Sequence, residues 1–212
     1  MIIVFPGTNC DLDTERACKF FCWETRFIWH DETNYDDCDI VFVPGGFSYG
    51  DYIRAGGLAK FSPAVLALKK YVESKRGFVF GICNGFQILC ETGLLPGALS
   101  VNYNTKFICD VVPLESRENW LPANINLPIA HGEGNYILPD EAVKNTKDFN
   151  FDDLIFLKYS QNPNGSFKDI AGLYDKKRKI LGMMPHPERA VFNETGGTDG
   201  RYFFKMIEAE LK

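Results

Sequence analysis

With 212 residues, 45% of them hydrophobic and 14% aromatic, the chain has ample material for a packed core, which excludes a disordered, collagen-like or fibrous protein. Its 28 acidic and 23 basic residues leave a net charge of −5, without the basic face that nucleic-acid binding requires. The seven cysteines (Cys10, Cys18, Cys22, Cys38, Cys83, Cys90 and Cys109) are odd in number and include no C-x-x-C pair, so they read as reduced thiols of a cytoplasmic protein rather than a disulfide framework.

The chain starts with the apolar run Met1–Phe5, which stops at Pro6–Gly7, far short of a membrane span or a signal-peptide core. Ile2–Phe5 reads as a strand, and Asp11 or Asp13 can cap a helix running to about Trp23. Cys18 and Cys22, four apart on that helix, could share a metal with His30, but no fourth ligand of matching spacing follows, and no metal site is expected. Thr25–Trp29 and Asp39–Val43 read as strands, the second ended by Pro44–Gly45–Gly46. Ala64–Ser74 has apolar residues at helical spacing. Phe78–Ile82 is a further strand, leading into Cys83. Strands separated by helices of this length predict βαβ units: an α/β fold with an open, mostly parallel sheet and helices on both faces.

The second half predicts additional β structure at Lys106–Val112, Ile129–His131, Tyr136–Leu138, Leu154–Tyr159, Ile170–Tyr174 and Ile180–Met184, then a closing helix at Tyr202–Leu211. The Pro/Asn-rich stretch Trp120–Pro128 reads as a flexible loop, and the basic stretch Lys176–Lys179 as a solvated turn. With no repeat, low-complexity tract or linker, residues 1–212 read as one domain.

Three segments place unusual residues where strands of a parallel sheet end, the region in which such sheets build their sites. Gly81–Ile82–Cys83–Asn84–Gly85 is G-x-C-x-G between a strand and a helix, the spacing of a nucleophile elbow with cysteine in place of serine. The N–H groups and dipole of the helix start should favour the Cys83 thiolate. Met184–Pro185–His186–Pro187–Glu188–Arg189 follows the last strand. There Glu188, two residues on in an extended chain, could orient His186 as the base for Cys83. Pro44–Gly45–Gly46–Phe47–Ser48–Tyr49–Gly50–Asp51 leaves backbone donors free, and the N–H groups of Gly46 and Asn84 would form an oxyanion pair. Alone, each segment is equally compatible with a structural role: a buried cysteine, a surface ion pair, a glycine turn. No G-x-x-x-x-G-K-[ST] phosphate loop occurs, so ATP binding of that kind is not expected.

Taken in order, the oxyanion loop, the cysteine elbow and His-x-Glu resemble the class I (triad) glutamine amidotransferases over essentially the whole chain. The wording of Pro6–Asp11, Pro44–Tyr52, Gly81–Gln87, Ala130–Gly134 and Met184–Arg189 is similar to one branch of that family. Its members release ammonia for a synthetase that converts formylglycinamide ribonucleotide to formylglycinamidine ribonucleotide in purine biosynthesis. The resemblance implies an amidotransferase-like α/β fold, L-glutamine as substrate, Cys83 as nucleophile, His186 as base and acid, and Glu188 as its orienting group. It further implies substrate contacts from Gln87, Phe47 and a second loop at His131, Gly132 and Glu133. No cofactor is implied on this chain. ATP and Mg²⁺ would belong to a large synthetase partner, accompanied by a small accessory subunit. Thr8 stands where relatives often have serine, and six cysteines besides Cys83 exceed expectation. Two rival readings share the scaffold: a cysteine hydrolase or amidotransferase with another partner, and a non-catalytic module. The first would lack the Phe47–Tyr52 wording, and the second would be expected to lose the nucleophile.

Overall fold

The computed structural model of the chain describes residues 1–74, 77–138, 150–195 and 197–211. Short runs of β-branched and aromatic residues form the first strands, β1 (Ile2–Val4), β2 (Phe27–Trp29), β3 (Ile40–Val43) and β4 (Phe78–Ile82). Between them lie α1 (Asp11–Phe20) and α2 (Pro63–Glu73), and α3 (Asn84–Glu91) follows β4. α2 begins where sequence rules place it: Ser62 Oγ accepts from the Val65 N–H, and Pro63 occupies the first turn. α1 stops at Phe20, earlier than expected, and Cys22 lies beyond it with φ 59°.

The second half supplies β5 (Ala98–Ser100), β6 (Ile108–Ser116), β7 (Asn124–His131), β8 (Asn135–Ile137), β9 (Ile155–Tyr159), β10 (Ile170–Asp175), β11 (Ile180–Met183) and the helix α4 (Arg201–Glu210). One nine-stranded sheet runs β2-β1-β3-β4-β11-β10-β9-β6-β7, and β5 and β8 form a separate antiparallel pair. From β2 to β11 neighbouring strands are parallel; from β11 to β7 they are antiparallel. The molecule is thus an α/β fold whose parallel half carries an antiparallel wing, the extra β structure expected of the second half.

Trp120–Pro128 is only in its first four residues the loop that its composition predicts. Asn124–Pro128 forms the first part of β7, with Asn124 opposite Glu115 and Pro128 opposite Val111. β7 is the edge strand of the sheet, so a proline there withholds its missing N–H from no ladder partner.

Alternation along the strands sends side chains to two helical layers. Gly85 on α3 faces the Val43 carbonyl, and Gly81 on β4 faces Leu89 of α3. On the other face Phe42 packs against Phe80, Trp23 and Phe204 of α4. Helices therefore cover both faces of the parallel half, and the buried residues of both halves belong to one hydrophobic cluster. No helix among the described residues is long and apolar enough to cross a membrane.

Candidate active site

Register fixes where the site forms. β4 and β11 are parallel neighbours with Ile82 opposite Met183, so Cys83 and Met184 leave the sheet side by side at its carboxyl edge. The Cys83 N–H donates to the Met183 carbonyl at 2.8 Å, and the chain then turns at once into α3. That turn puts Cys83 at φ 50°, ψ −106°, a conformation non-glycine residues rarely adopt and one that persists only where the surroundings enforce it. The turn is tight because α3 lies almost on β3: a Cβ on Gly85 would stand 1.7 Å from the Val43 carbonyl oxygen.

His186 is buried beside it, its N–H donating to the Pro128 carbonyl of β7 at 2.8 Å. Its Nδ1 meets Glu188 Oε1 at 2.6 Å, and the carboxylate is also buried. A buried imidazole paired this closely with a carboxylate has its tautomer fixed, with the proton on Nδ1 and the lone pair on Nε2. Nε2 is buried and has no partner among the described residues. The pairing does not arise from an extended chain, as the two-residue spacing predicts. Pro187–Arg189 is one turn of 3₁₀ helix, which folds Glu188 back onto the ring.

Gly45 stands between the two groups. A Cβ there would lie 2.9 Å from His186 Cε1, 3.0 Å from Cys10 Sγ and 3.4 Å from Cys83 Cβ. Gly46, with φ 140°, bridges to Thr8; the Phe47 N–H closes that bridge on the Gly7 carbonyl at 2.9 Å, without using the N–H of Gly46. The thiol lies 3.7 Å from the Ala130 carbonyl, and the Asn84 N–H, first in α3, stands where it favours the thiolate. The helix start does not leave the thiol acidic, contrary to the expectation from its position. Burial pushes the Cys83 thiol well up, the neighbouring Cys10 and Glu188 add to the rise, and Arg189 and the Asn84 N–H only partly oppose it.

The other expected residues gather on the same side. Gln87 is buried one turn after Cys83; its Oε1 accepts from Asn84 Nδ2 at 2.9 Å and its Nε2 donates to the Glu133 carbonyl at 2.6 Å. Glu133 Oε2 accepts from the Ala55 N–H at 3.1 Å. His131 Nδ1 meets Asn102 Oδ1 at 3.1 Å, and the Gly132 carbonyl accepts from the Asn102 N–H at 2.9 Å. Burial first and the nearby His186 second lower the His131 pKa to about 4. Phe47 is half exposed at the rim, followed by Tyr52 and Ile53, which are 73% and 86% exposed.

Sequence reasoning did not single out Cys10, Asn102 or Asp51. The Cys10 thiol, pushed up to about 12 chiefly by burial, receives the Arg189 Nη2 donor at 2.9 Å, and Arg189 Nε reaches Asp13 Oδ2 at 3.3 Å. Arg189 thus pairs locally. Asp51 is raised to about 6, by burial first and then by Glu133. All three residues lie in loops or near turns, where no periodicity marks them; the signal for Cys10 and Asp51 was their place inside the Pro6–Asp11 and Pro44–Tyr52 words, and Asn102 had none.

Cys10, His186 and Glu188 have ligand atoms within 4.8 Å of one another. The guanidinium on Cys10 and the Nδ1–Glu188 bond occupy that cluster with hydrogen bonds and a cation. Cys18, Cys22 and His30 do not converge: Cys18 is buried, Cys22 exposed, and His30 Nδ1 is bonded to the Tyr49 hydroxyl at 2.9 Å. The basic stretch at 176–179 is paired, Lys176 with Glu118 and Arg178 with Asp175. A cavity of about 590 Å³ lies at the opposite, amino edge of β1–β3, lined by Met1, Trp23, Arg26, Asp37 and Leu211 among others, and includes none of the expected site residues.

Comparison with known proteins gives a consistent answer. Residues 1–197 match the model of the CobB/CobQ-like glutamine amidotransferase domain. Phosphoribosylformylglycinamidine synthase subunit PurQ from Prochlorococcus marinus is 49% identical, with 99% of this chain and 97% of the relative aligned. The protein of the same name from Parasynechococcus marenigrum is 50% identical, with 97% of each aligned. Among solved structures, the PurLQS structure from Thermotoga maritima contains a chain that superposes with a TM-score of 0.89 at 39% identity, covering 100% of this chain and 97% of that one. A glutamine amidotransferase from Thermotoga maritima, 16% identical with a TM-score of 0.59 and covering 98% of this chain and 80% of that one, shares the fold.

Proposed function

The chain belongs to the CobB/CobQ-like glutamine amidotransferase family, and from that premise we propose that it is the glutaminase subunit of a phosphoribosylformylglycinamidine synthase. It hydrolyses L-glutamine to glutamate and ammonia. The ammonia passes to a large synthetase subunit, with a small accessory subunit completing the complex. The curated relatives aligned over nearly their whole length support the assignment, as does the PurLQS structure.

The observation that carries the chemistry is the strained Cys83 elbow beside a buried His186–Glu188 pair with Nε2 unpartnered. In this reading His186 Nε2 takes the thiol proton as Cys83 sulfur attacks the side-chain amide carbon of glutamine. A buried thiol with a raised pKa stays protonated at rest, so ionisation coincides with attack. The carbonyl oxygen, now an oxyanion, is held by the N–H groups of Gly46 and Asn84. His186 then delivers its proton to the leaving nitrogen, the C–N bond breaks and ammonia departs, leaving a γ-glutamyl thioester. Water, deprotonated by the same imidazole, hydrolyses it. Glu188 holds the ring and stabilises its charged form. Gln87, Phe47 and the His131–Glu133 loop line the substrate's place.

The remaining assignments follow from this division of labour. Residues 1–212 act as one amidotransferase domain in the cytoplasm and hold no cofactor, while ATP and Mg²⁺ are used by the synthetase. The absence of a phosphate-loop sequence supports that allocation.

Replacing the nucleophile tests the reading. Cys83→Ala in the complex should abolish glutamine-dependent synthesis and leave ammonia-dependent synthesis intact. A diazo-ketone analogue of glutamine should label wild type once, at Cys83, and free glutamine should suppress it. Loss of both syntheses in the variant, or labelling spread over the other cysteines without glutamine protection, would count against the assignment.

A further inference from the structure

Asp51 has no part in the reaction as derived above, yet its carboxylate is tied into the site. Oδ1 accepts from Asn84 Nδ2 at 3.2 Å, and the Gly56 N–H favours the ionised carboxylate. The Asn84 carboxamide spends its other groups in both directions: Oδ1 accepts from the Ser48 N–H at 3.2 Å, and Nδ2 also donates to Gln87 Oε1 at 2.9 Å. This buried side chain is therefore a bridge between the loop after β3 and the first turn of α3.

Those two elements are the ones carrying the Gly46 and Asn84 N–H groups. Strand pairing between β3 and β4 reaches only to Val43 opposite Gly81, so no ladder continues to the two donors. Their relative placement depends on what joins the loop to the helix, and the Asn84 carboxamide does so. Asp51 accepts at its nitrogen end, which leaves its oxygen to the Ser48 N–H; the donor and acceptor pattern of the bridge admits that orientation. The loop is bent to make this contact. Tyr49, Asp51 and Ile53 all have positive φ (55°, 52° and 76°), and for β-branched Ile53 that conformation is costly and needs to be held.

We propose that Asp51 is a positioning residue for the oxyanion hole: through the Asn84 carboxamide it fixes the Gly46 loop against the start of α3, so that both N–H groups converge on one oxygen. The proposal rests on the glutaminase reading of Cys83. Its effect falls on the transition state, where charge develops on that oxygen, and not on ground-state binding of glutamine.

Two substitutions separate the carboxylate from the backbone it sits on. Asp51→Gly removes the acceptor but is at ease at φ 52°, whereas Asp51→Asn keeps an oxygen for Asn84 Nδ2 and tolerates the same φ. In the complex with the synthetase and accessory subunit, D51G is expected to lower kcat for glutamine-dependent synthesis by about 10²-fold, the scale of a misplaced donor. KM for glutamine should stay within about threefold and the ammonia-dependent rate should not change, while D51N recovers most of kcat. The isolated chains are also titrated with glutamate γ-semialdehyde, whose carbonyl carbon bonds to the Cys83 sulfur. The carbonyl π pair moves to oxygen, which takes the thiol proton or stays ionised in the hole with that proton on His186 Nε2. D51G should bind it more weakly by a similar factor. Raised KM at unchanged kcat would make Asp51 a substrate contact and overturn the proposal. So would loss of ammonia-dependent synthesis in D51G, or identical behaviour of D51N and D51G in both assays. A wild-type chain that binds the aldehyde but does not feed the synthetase refutes the partner assignment alone; one that binds no aldehyde refutes both.

Discussion

At the scale of single residues, burial outweighs helix electrostatics in this site. Cys83 begins a helix, where about half an elementary charge of dipole and an N–H contact favour a thiolate, and yet its thiol is raised because only 5% of the residue meets solvent. The same balance governs His131. It is 3% exposed, its Nδ1 is bonded to Asn102, and its pKa falls from about 6.5 to about 4. The unfolded chain therefore binds a proton over that interval that the folded chain refuses. His131 contributes stability that is complete above about pH 6.5 and is lost as pH falls towards 4, by about 3 kcal/mol over the full interval. Asp51, raised rather than lowered, acts in the opposite sense, with stability falling as pH rises through its titration. Comparing variants isolates the histidine. In urea unfolding between pH 7.5 and 4.5, His131→Asn should lose less stability on acidification than wild type. Parallel pH dependences would show that His131 is not held neutral.

At the scale of elements, what could be read from sequence was what rests on local pattern. Strand β4, its turn and α3 were legible because an apolar run and two glycines flanking a cysteine at elbow spacing announce them. The first part of β7 was not, although Ile129–His131 was read as strand, because Asn124, Asn126 and Pro128 carry loop composition, and only their place on a sheet edge reconciles them with a strand. Nor was the turn that folds Glu188 onto His186, since a two-residue spacing fits either an extended chain or a 3₁₀ turn until the prolines are placed. Cys10 and Asp51 entered the site through contacts with residues far along the chain, at Arg189 and Asn84, which no window of sequence contains. The elbow gives a prediction whose sign is diagnostic. In an isolated helix, replacing Gly85 with alanine would stabilise by about 1 kcal/mol. Here the new Cβ would meet the Val43 carbonyl oxygen at 1.7 Å, which forces α3 away from β3. Gly85→Ala should instead destabilise by about 3 kcal/mol or more, read as a Tm lowered by at least roughly 6 °C. An unchanged or raised Tm would mean that the close approach of α3 is not what holds Cys83 in its strained conformation.

At the scale of the whole molecule, the site exists because the antiparallel wing returns over the parallel half. β7 lies four strands from β11 in the sheet, yet its Pro128 and Ala130 carbonyls reach the His186 N–H and the Cys83 thiol. That closure requires both halves to be held to a common body, and α4 does this with two adjacent rings. Phe203 packs on Trp120 and Phe156 of the wing, while Phe204 packs on Phe21, Trp23 and Phe42 of the parallel half. Both are fully buried. Removing the Phe204 ring leaves a cavity worth about 3–5 kcal/mol, a Tm decrease of roughly 6–20 °C for a chain of this size. The two halves carry their own reporters, so the cooperativity can be read directly. One variant retains only Trp23 (Trp29→Phe with Trp120→Phe) and the other only Trp120 (Trp23→Phe with Trp29→Phe). With Phe204→Ala added to each, both fluorescence transitions should shift down together and coincide with the loss of far-ultraviolet circular dichroism. Were the halves separate domains, the Trp23 signal alone would move and the Trp120 transition would stay where it was. The wing would then be a cover that opens independently of the sheet beneath it, and the single-domain reading of residues 1–212 would fail with it.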